Sequence, residues 1–183
     1  MHCYGTEFGF QIQADQRSLI RKVGLGDRSE DIYSWYVEPP DGVQFEGRTL
    51  EYLWDVCKEF DGLVWYIHTK GASHPQHSQG SQRNFRRLLE GIVIEQWQHC
   101  IDVFSLNQDM DCYGAFLPTD DRYFYPGNFW WARSSHIRRL PNPCEWANKL
   151  CGRTGENVRY GYEDWVTLSV PNVKALAYGP WKP

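Results

Sequence analysis

The sequence lacks a long apolar run and has no excess of positive charge. None of its 183 residues lie in a segment approaching the roughly 20 apolar residues of a membrane-spanning helix, so we expect no membrane span. The net charge of -4 argues against a protein that binds nucleic acid through bulk positive charge. The N-terminus has no basic segment followed by an apolar one, so no signal peptide is indicated.

Paired cysteine motifs are also missing. Six cysteines are present, but none forms a Cys-x-x-Cys pair. Cys57 and Cys100 lie among apolar residues at helical spacing, which is typical of buried free thiols. Cys144 and Cys151 are close enough in sequence to form a disulfide, and spacing alone leaves that open. This usage favours a reducing compartment, and we expect a cytoplasmic protein.

Several motifs of known chemistry are absent as well. The chain has no P-loop, no nucleophile elbow and no Gly-x-Gly-x-x-Gly. His74 and His77 lie near His68, but zinc would need further ligands from distant parts of the chain.

Aromatic residues, by contrast, are abundant. They make up 16% of the chain, with nine Trp and eleven Tyr. Such a composition suits a protein that binds flat or sugar-like ligands, and it suits an aromatic-rich core equally well.

The chain alternates between strand and helix patterns. Leu63–Ile67 is a continuous apolar run between turn signals, which predicts a strand buried on both faces. Alternating strands and helices predict a single-domain α/β fold with a largely parallel sheet. The other predicted strands are 32–37, 111–117 and 129–132, and the predicted helices are 15–23, 49–60 with Thr49 as its cap, 81–104, a short one capped by Ser134 or Ser135, and one beginning near Trp165.

A polar and cationic cluster follows the buried strand directly. It consists of His68, Thr69, Lys70 and Gly71. Ligands of open α/β sheets bind at the carboxyl ends of central strands. Lys suits phosphate, Thr and His donate hydrogen bonds, and Gly allows close backbone approach. The cluster is therefore a candidate site, with a solvated turn as the alternative.

A tight turn precedes an unusually aromatic strand. Gly127 and Asn128 suit a backbone with positive φ. Trp130 and Trp131 follow in the strand, where adjacent side chains point to opposite faces. Only one of them can face a given core layer, so the other meets a second layer, a ligand or a partner.

Two pairs of acids are candidates for chemistry. Glu163 and Asp164 are adjacent, and an acid in a cleft can take a proton from an attacking hydroxyl. The alternative is that one of them caps the helix near Trp165. Asp109 and Asp111 form an Asp-x-Asp, a pattern that binds Mg²⁺ or Mn²⁺, but they precede their strand rather than follow it.

Three segments together carry a family resemblance. LVWYIHTKGAS, GNFWWARSSHIRRLP and RYGYEDW, in this order, resemble a family of small GT-A-type glycosyltransferases. The resemblance implies a GT-A-like (Rossmann-like) domain over residues 1–183, with a short N-terminal nucleotide-binding unit. It also implies transfer of a sugar from a nucleotide-sugar donor to a glycan or other hydroxyl acceptor.

The resemblance also implies roles for particular residues. Asp164, with Glu163 close behind, is the expected general base of an inverting reaction. Lys70 stands where a metal-binding carboxylate is usual and can replace part of the charge of a metal. The resemblance therefore implies no certain cofactor, with a divalent Mn or Mg ion as the alternative. Other expected substrate-binding residues are Gly127, Asn128, one of Trp130 or Trp131, and Arg159. The alternative function is a non-catalytic carbohydrate- or partner-binding module on a reduced transferase fold.

Overall fold

The structure is a computed structural model, and only part of the chain is described. The described residues are 2–6, 18–19, 22–23, 32–35, 46–59, 61–68, 79–117, 123–150, 152, 158–168 and 175–178. Within these ranges, no helix is long and apolar enough to cross a membrane.

The strands form one mixed sheet. Its spatial order is β2-β1-β3-β5-β4-β6. The pairs β1–β2, β1–β3 and β4–β6 are parallel, whereas β5 is antiparallel to both β3 and β4. The strands are β1 (His2–Thr6), β2 (Ile32–Trp35), β3 (Leu63–Ile67), β4 (Cys112–Ala115), β5 (Trp130–Arg133) and β6 (Ala175–Tyr178).

The prediction of a mostly parallel, GT-A-like sheet is wrong. The three central strands, β3, β5 and β4, are antiparallel, and the described residues are richer in helix than in strand. A parallel pair needs a crossover, usually a helix, whereas an antiparallel pair needs only a loop. The described parts of the connection from β4 to β5, residues 116–117 and 123–129, contain no helix. The absence of a helix in these described parts agrees with the antiparallel pairing of β4 and β5.

Most predicted helices exist, but several bounds differ. The helix predicted to be capped by Thr49 begins at Gly47, so Thr49 lies inside it. No side chain of Ser134 or Ser135 caps the short helix after β5, which begins at Ser134 itself. The helix predicted to begin near Trp165 instead ends there. The α-helices are α1 (Gly47–Glu59), α2 (Gln79–Glu90), α3 (Trp97–Leu106), α4 (Ser134–Ile137), α5 (Pro143–Glu145) and α6 (Val158–Trp165), and Trp146–Leu150 is π-helical.

The predicted long helix over 81–104 is interrupted. A π-helical turn, Gly91–Glu95, separates α2 from α3. A π turn leaves backbone carbonyls without their usual α-helical partner. Trp131 contacts this turn, because its Nε1–H donates to the carbonyl of Val93 at 2.8 Å.

Aromatic stacks cover both faces of the central strands. Tyr66 and Trp130 belong to one apolar cluster, and Trp65 and Trp131 belong to the other. The ring centroids of the first pair are 5.2 Å apart, and those of the second pair are 5.9 Å apart. Alternation along a strand places adjacent side chains on opposite faces. Both tryptophans are fully buried, so the second layer that meets one of them is protein.

The turn before β5 is closely packed against α2. A Cβ atom added at Gly127 would lie 2.4 Å from Cδ1 of Leu89, a buried side chain with little room to move. Gly127 also has a φ of 85°, which residues with a Cβ atom rarely adopt. Both features favour glycine over any other residue at position 127.

We expect Gly127→Ala to lower the free energy of unfolding by about 2–4 kcal/mol, from left-handed backbone strain plus overpacking. The measurement is the unfolding midpoint in urea. Gly80→Ala is the matched control, because a Cβ atom there meets nothing within 4 Å and lies in α2. Its stability should equal or slightly exceed that of the wild type. Equal stability of the two variants would contradict the packing described here.

Candidate functional site

A tight turn leads into β5. The Asn128 N–H donates to the carbonyl of Tyr125 at 2.8 Å, with Pro126 and Gly127 between them. Proline followed by a glycine at φ 85° is the pattern of a type II turn. Asn128 also has a positive φ, of 58°, so the prediction of positive φ at Gly127 and Asn128 is confirmed.

Antiparallel pairing brings this turn to the carboxyl end of β3. Tyr66 of β3 is the register partner of Trp130 of β5. The residue after β3, His68, therefore lies beside the turn before β5. His68 Nε2 is 2.8 Å from the carbonyl oxygen of Gly127. Because a carbonyl only accepts, Nε2 carries the proton of this hydrogen bond.

The second nitrogen of His68 faces an acid. His68 Nδ1 is 3.4 Å from Oε1 of Glu46, the residue before α1, and both side chains are largely buried. The imidazole thus has an acceptor at each nitrogen. His68 therefore connects the turn before β5 to the residue before α1.

Aromatic rings surround the histidine. The His68 ring lies 6.1 Å from that of Tyr66 in a stacked arrangement, and 5.5 Å from that of Phe129 in an edge-on one. Tyr66 in turn stacks on Trp130. We call the group formed here the strand-end cluster; it comprises Glu46, Tyr66, His68, Gly127, Asn128 and Trp130.

The side-chain amide of Asn128 is buried in this cluster. Its Oδ1 accepts the Nε1–H of Trp130 at 2.7 Å. Its Nδ2 is buried and has no hydrogen-bond partner among the described residues. A buried donor without a partner costs free energy, and an acceptor group of a ligand would offset that cost.

Of the two predicted tryptophans, Trp130 is the one next to Asn128. Trp131 belongs to the apolar cluster on the other face of the sheet and contacts the π-helical turn. Neither ring is exposed, so stacking of either tryptophan on a sugar stays a prediction.

Helix α6 connects to the strand-end cluster through Tyr162. Its hydroxyl accepts from Asn148 Nδ2 at 3.2 Å and lies where a Cβ atom of Gly47 would be. Burial first, and then the adjacent Cys144, raises the pKa of Tyr162 to about 12, and Glu46 adds to the rise. Tyr162 is therefore a protonated hydroxyl next to the acid that faces His68.

The acidic pair lies elsewhere on α6 than predicted. Glu163 and Asp164 occupy its last turn rather than its start, and both are half-buried. The alternative that one of them caps a helix beginning near Trp165 is wrong, because that helix ends at Trp165. The catalytic role of the pair stays a prediction.

Arg159 is exposed near the start of α6. Its Nη2 donates to the hydroxyl of Tyr160 at 2.8 Å, and the guanidinium lies 4.7 Å from the centre of the same ring. Its expected role in holding an acid or a phosphate stays a prediction.

The Asp-x-Asp candidate for metal is engaged in other contacts. Asp111 Oδ1 accepts from Arg139 Nη2 at 2.7 Å, and it is 3.7 Å from Nδ1 of the buried His136. Asp109 is exposed. Across the described ranges, no group of three His, Cys, Asp or Glu side chains is arranged to hold a metal ion.

Some predicted residues lie outside the described part of the chain. They are Thr69, Lys70, Gly71, His74, His77 and Cys151. Of the predicted cluster after β3, only His68 is described.

Sequence reasoning predicts the burial of Tyr66 correctly but gives no sign of two other residues of the arrangement, Glu46 and Tyr162. Tyr162 is the neighbour of the predicted acids and carried no signal of its own. The one available hint was the pair of residues Glu46-Gly47 before a helix, since a glycine there leaves room for a large side chain.

Comparison with known proteins identifies a family. The family described as Domain of unknown function (DUF8361) matches residues 39–174, and the chain belongs to that family. Neither a curated protein nor a solved structure matches the chain.

We expect His68→Leu to lower the free energy of unfolding by about 1–3 kcal/mol, because Gly127 loses its donor and Glu46 loses its partner. This should lower the melting temperature by several degrees. His99→Leu, at an exposed position on α3, is the control and should lower the free energy of unfolding by less. If the two variants melt together, the His68 contact does not hold the turn.

The buried His136 predicts a loss of stability in acid. Burial lowers the pKa of His136 from its ordinary value of 6.5, outweighing the opposing effects of the Val166 carbonyl and Asp111. The unfolded chain therefore binds more protons than the folded one just below pH 6.5. Stability from the neutral ring is present above that pH and is lost as the pH falls.

The measurement is the melting temperature between pH 7.5 and 5. In His136→Gln, which can still donate to the Val166 carbonyl, the decrease on acidification should be smaller than in the wild type. An identical pH dependence of the two proteins would contradict a neutral His136.

Proposed function

We propose that this member of the DUF8361 family transfers a sugar from a nucleotide-sugar donor to a hydroxyl acceptor. The observation that carries the proposal is the 2.8 Å contact between His68 Nε2 and the Gly127 carbonyl. This contact joins two of the three segments that resemble glycosyltransferases, HTKG and GNFWWA, at one edge of the sheet. Residues far apart in sequence that meet at a strand end are the usual arrangement of a ligand site.

The donor diphosphate is proposed to bind next to His68. Lys70 follows it closely in the chain, with Thr69 and Gly71 on either side. When the sugar leaves, negative charge develops on the diphosphate, and a fixed cation stabilises it. Lys is a compact cation suited to that task.

The acceptor is proposed to react on the side of α6. Its hydroxyl oxygen bonds to the anomeric carbon, the bond from that carbon to the diphosphate oxygen breaks, and the hydroxyl proton passes to Asp164 or Glu163. Acids in the last turn of a helix oppose its dipole, at about 0.3–1 kcal/mol each. The helix dipole therefore does not favour acids at these two positions. Arg159 is proposed to hold the acid or the phosphate.

The proposal requires no metal, although a divalent Mn or Mg ion can assist the same chemistry. Asp111 suits that role poorly, since the cation Arg139 already occupies its carboxylate. The compartment proposed is the reducing cytoplasm, supported by free thiols at Cys57, Cys100, Cys112 and Cys144.

Thermal denaturation with a panel of nucleoside diphosphates and their sugars, with and without Mn²⁺, tests the donor site. A ligand at a hundredfold excess over its Kd adds about 2.7 kcal/mol of stability, which raises the melting temperature by about 5 °C or more. Lys70→Ala should abolish that rise while melting normally without ligand. Lys149→Ala, at an exposed lysine in the π-helical segment, is the control and should keep the rise.

Two outcomes would count against the proposal. No shift with any nucleotide would reject the donor site. A glycan that binds without any donor hydrolysis or transfer would favour the alternative, a carbohydrate- or partner-binding module.

A further inference from the structure

We infer that Trp130 is a positioning residue that holds the Asn128 side chain so that Nδ2 donates to a hydroxyl oxygen of the donor sugar. The inference rests on the proposed function. It gives Trp130 a role through its N–H group, whereas the sequence suggested that a tryptophan here stacks on the sugar.

The orientation of the Asn128 amide is fixed by its neighbour. The indole nitrogen of tryptophan only donates, so the atom 2.7 Å from Trp130 Nε1 must be the amide oxygen. The two ends of an amide look alike, and a partner of this kind distinguishes them. Nδ2 is therefore the end that remains, with two N–H groups to donate.

Burial of Asn128 Nδ2 without a partner has a free-energy cost. Asn128 has 0% exposure, and Nδ2 has no partner within the described ranges. Native structures leave few buried polar groups without partners, and those few call for a ligand, a water or a function. The positive φ at both Gly127 and Asn128 holds the amide in place from the backbone side.

The surroundings favour a neutral acceptor atom. Aromatic side chains flank Asn128, namely Tyr125, Phe129 and Trp130, all fully buried. Burying an anion costs far more than burying a hydroxyl unless a cation pairs with it. A sugar hydroxyl is therefore a better acceptor for Asn128 Nδ2 than the diphosphate.

The face of the Trp130 ring contacts protein. It packs against Tyr66, with the ring centroids 5.2 Å apart. The contribution of Trp130 to ligand binding is therefore to orient the Asn128 side chain.

The experiment compares affinity for a nucleotide sugar with affinity for its nucleoside diphosphate, at pH 8, by calorimetry. In Asn128→Asp the side chain can still accept from Trp130 but has lost both N–H donors of the amide. We expect about a tenfold loss of affinity for the nucleotide sugar, with affinity for the nucleoside diphosphate unchanged. Trp130→Phe removes the bond that fixes the amide, so the amide can rotate. We expect its affinity for the nucleotide sugar to fall severalfold and its affinity for the nucleoside diphosphate to stay unchanged.

The double variant distinguishes a positioning role of Trp130 from a purely structural one. If Trp130 acts through Asn128, the double variant should bind the nucleotide sugar no worse than Asn128→Asp alone. Trp54→Phe is the control, since it also loses an indole N–H bond to a carbonyl, that of Leu140 at 2.9 Å. It should keep the affinity of the wild type for both ligands. Should Asn128→Asp fail to fold, Trp130→Phe and its control carry the same test.

Three results would overturn the inference. The first is wild-type affinity of Asn128→Asp for the nucleotide sugar. The second is an equal loss for sugar and diphosphate ligands, and the third is full additivity in the double variant. Wild-type protein that binds no nucleotide sugar would reject the proposed function, and this inference with it; that failure is visible before any variant is made.

Discussion

The antiparallel insertion of β5 between β3 and β4 is the constraint on which the rest of the structure depends. It places Trp130 on Tyr66 and Trp131 on Trp65, so that both faces of the central sheet are covered by stacked aromatic rings. Burial of four such side chains supplies a large part of the core, since each removes a large apolar area from water. The π-helical turn in the long helical segment contacts the same arrangement, since its Val93 carbonyl accepts the indole N–H of Trp131.

The direction of β5 also creates the candidate site. Had β5 run parallel to β3, the turn that precedes it would lie at the amino end of β3, a strand length away from His68. Running antiparallel, the turn arrives at the carboxyl end, and the Gly127 carbonyl accepts from His68. The error in the predicted fold and the meeting of the two segments therefore have one cause.

Local features of this chain were predictable because neighbouring residues determine them. The apolar run Leu63–Ile67 is a strand with the predicted bounds, and Gly127 and Asn128 have the predicted positive φ. The partners of these features were not predictable, since they come from remote segments. Glu46 reaches His68, and Tyr162 reaches Gly47, through folding of the whole chain. The helix that begins at Gly47 and the helix that ends at Trp165 differ from their predicted bounds for the same reason, because packing overrides weak local signals.

A crystal structure of the chain with a bound nucleotide sugar tests the central claim most directly. The claim is that the strand-end cluster holds the sugar, with the amide of Asn128 as a donor whose orientation Trp130 sets. The account predicts a sugar oxygen within about 3.2 Å of Asn128 Nδ2, with the Trp130 bond to Oδ1 retained. A sugar bound elsewhere, or an Asn128 amide whose nitrogen is paired with the protein itself, would contradict it.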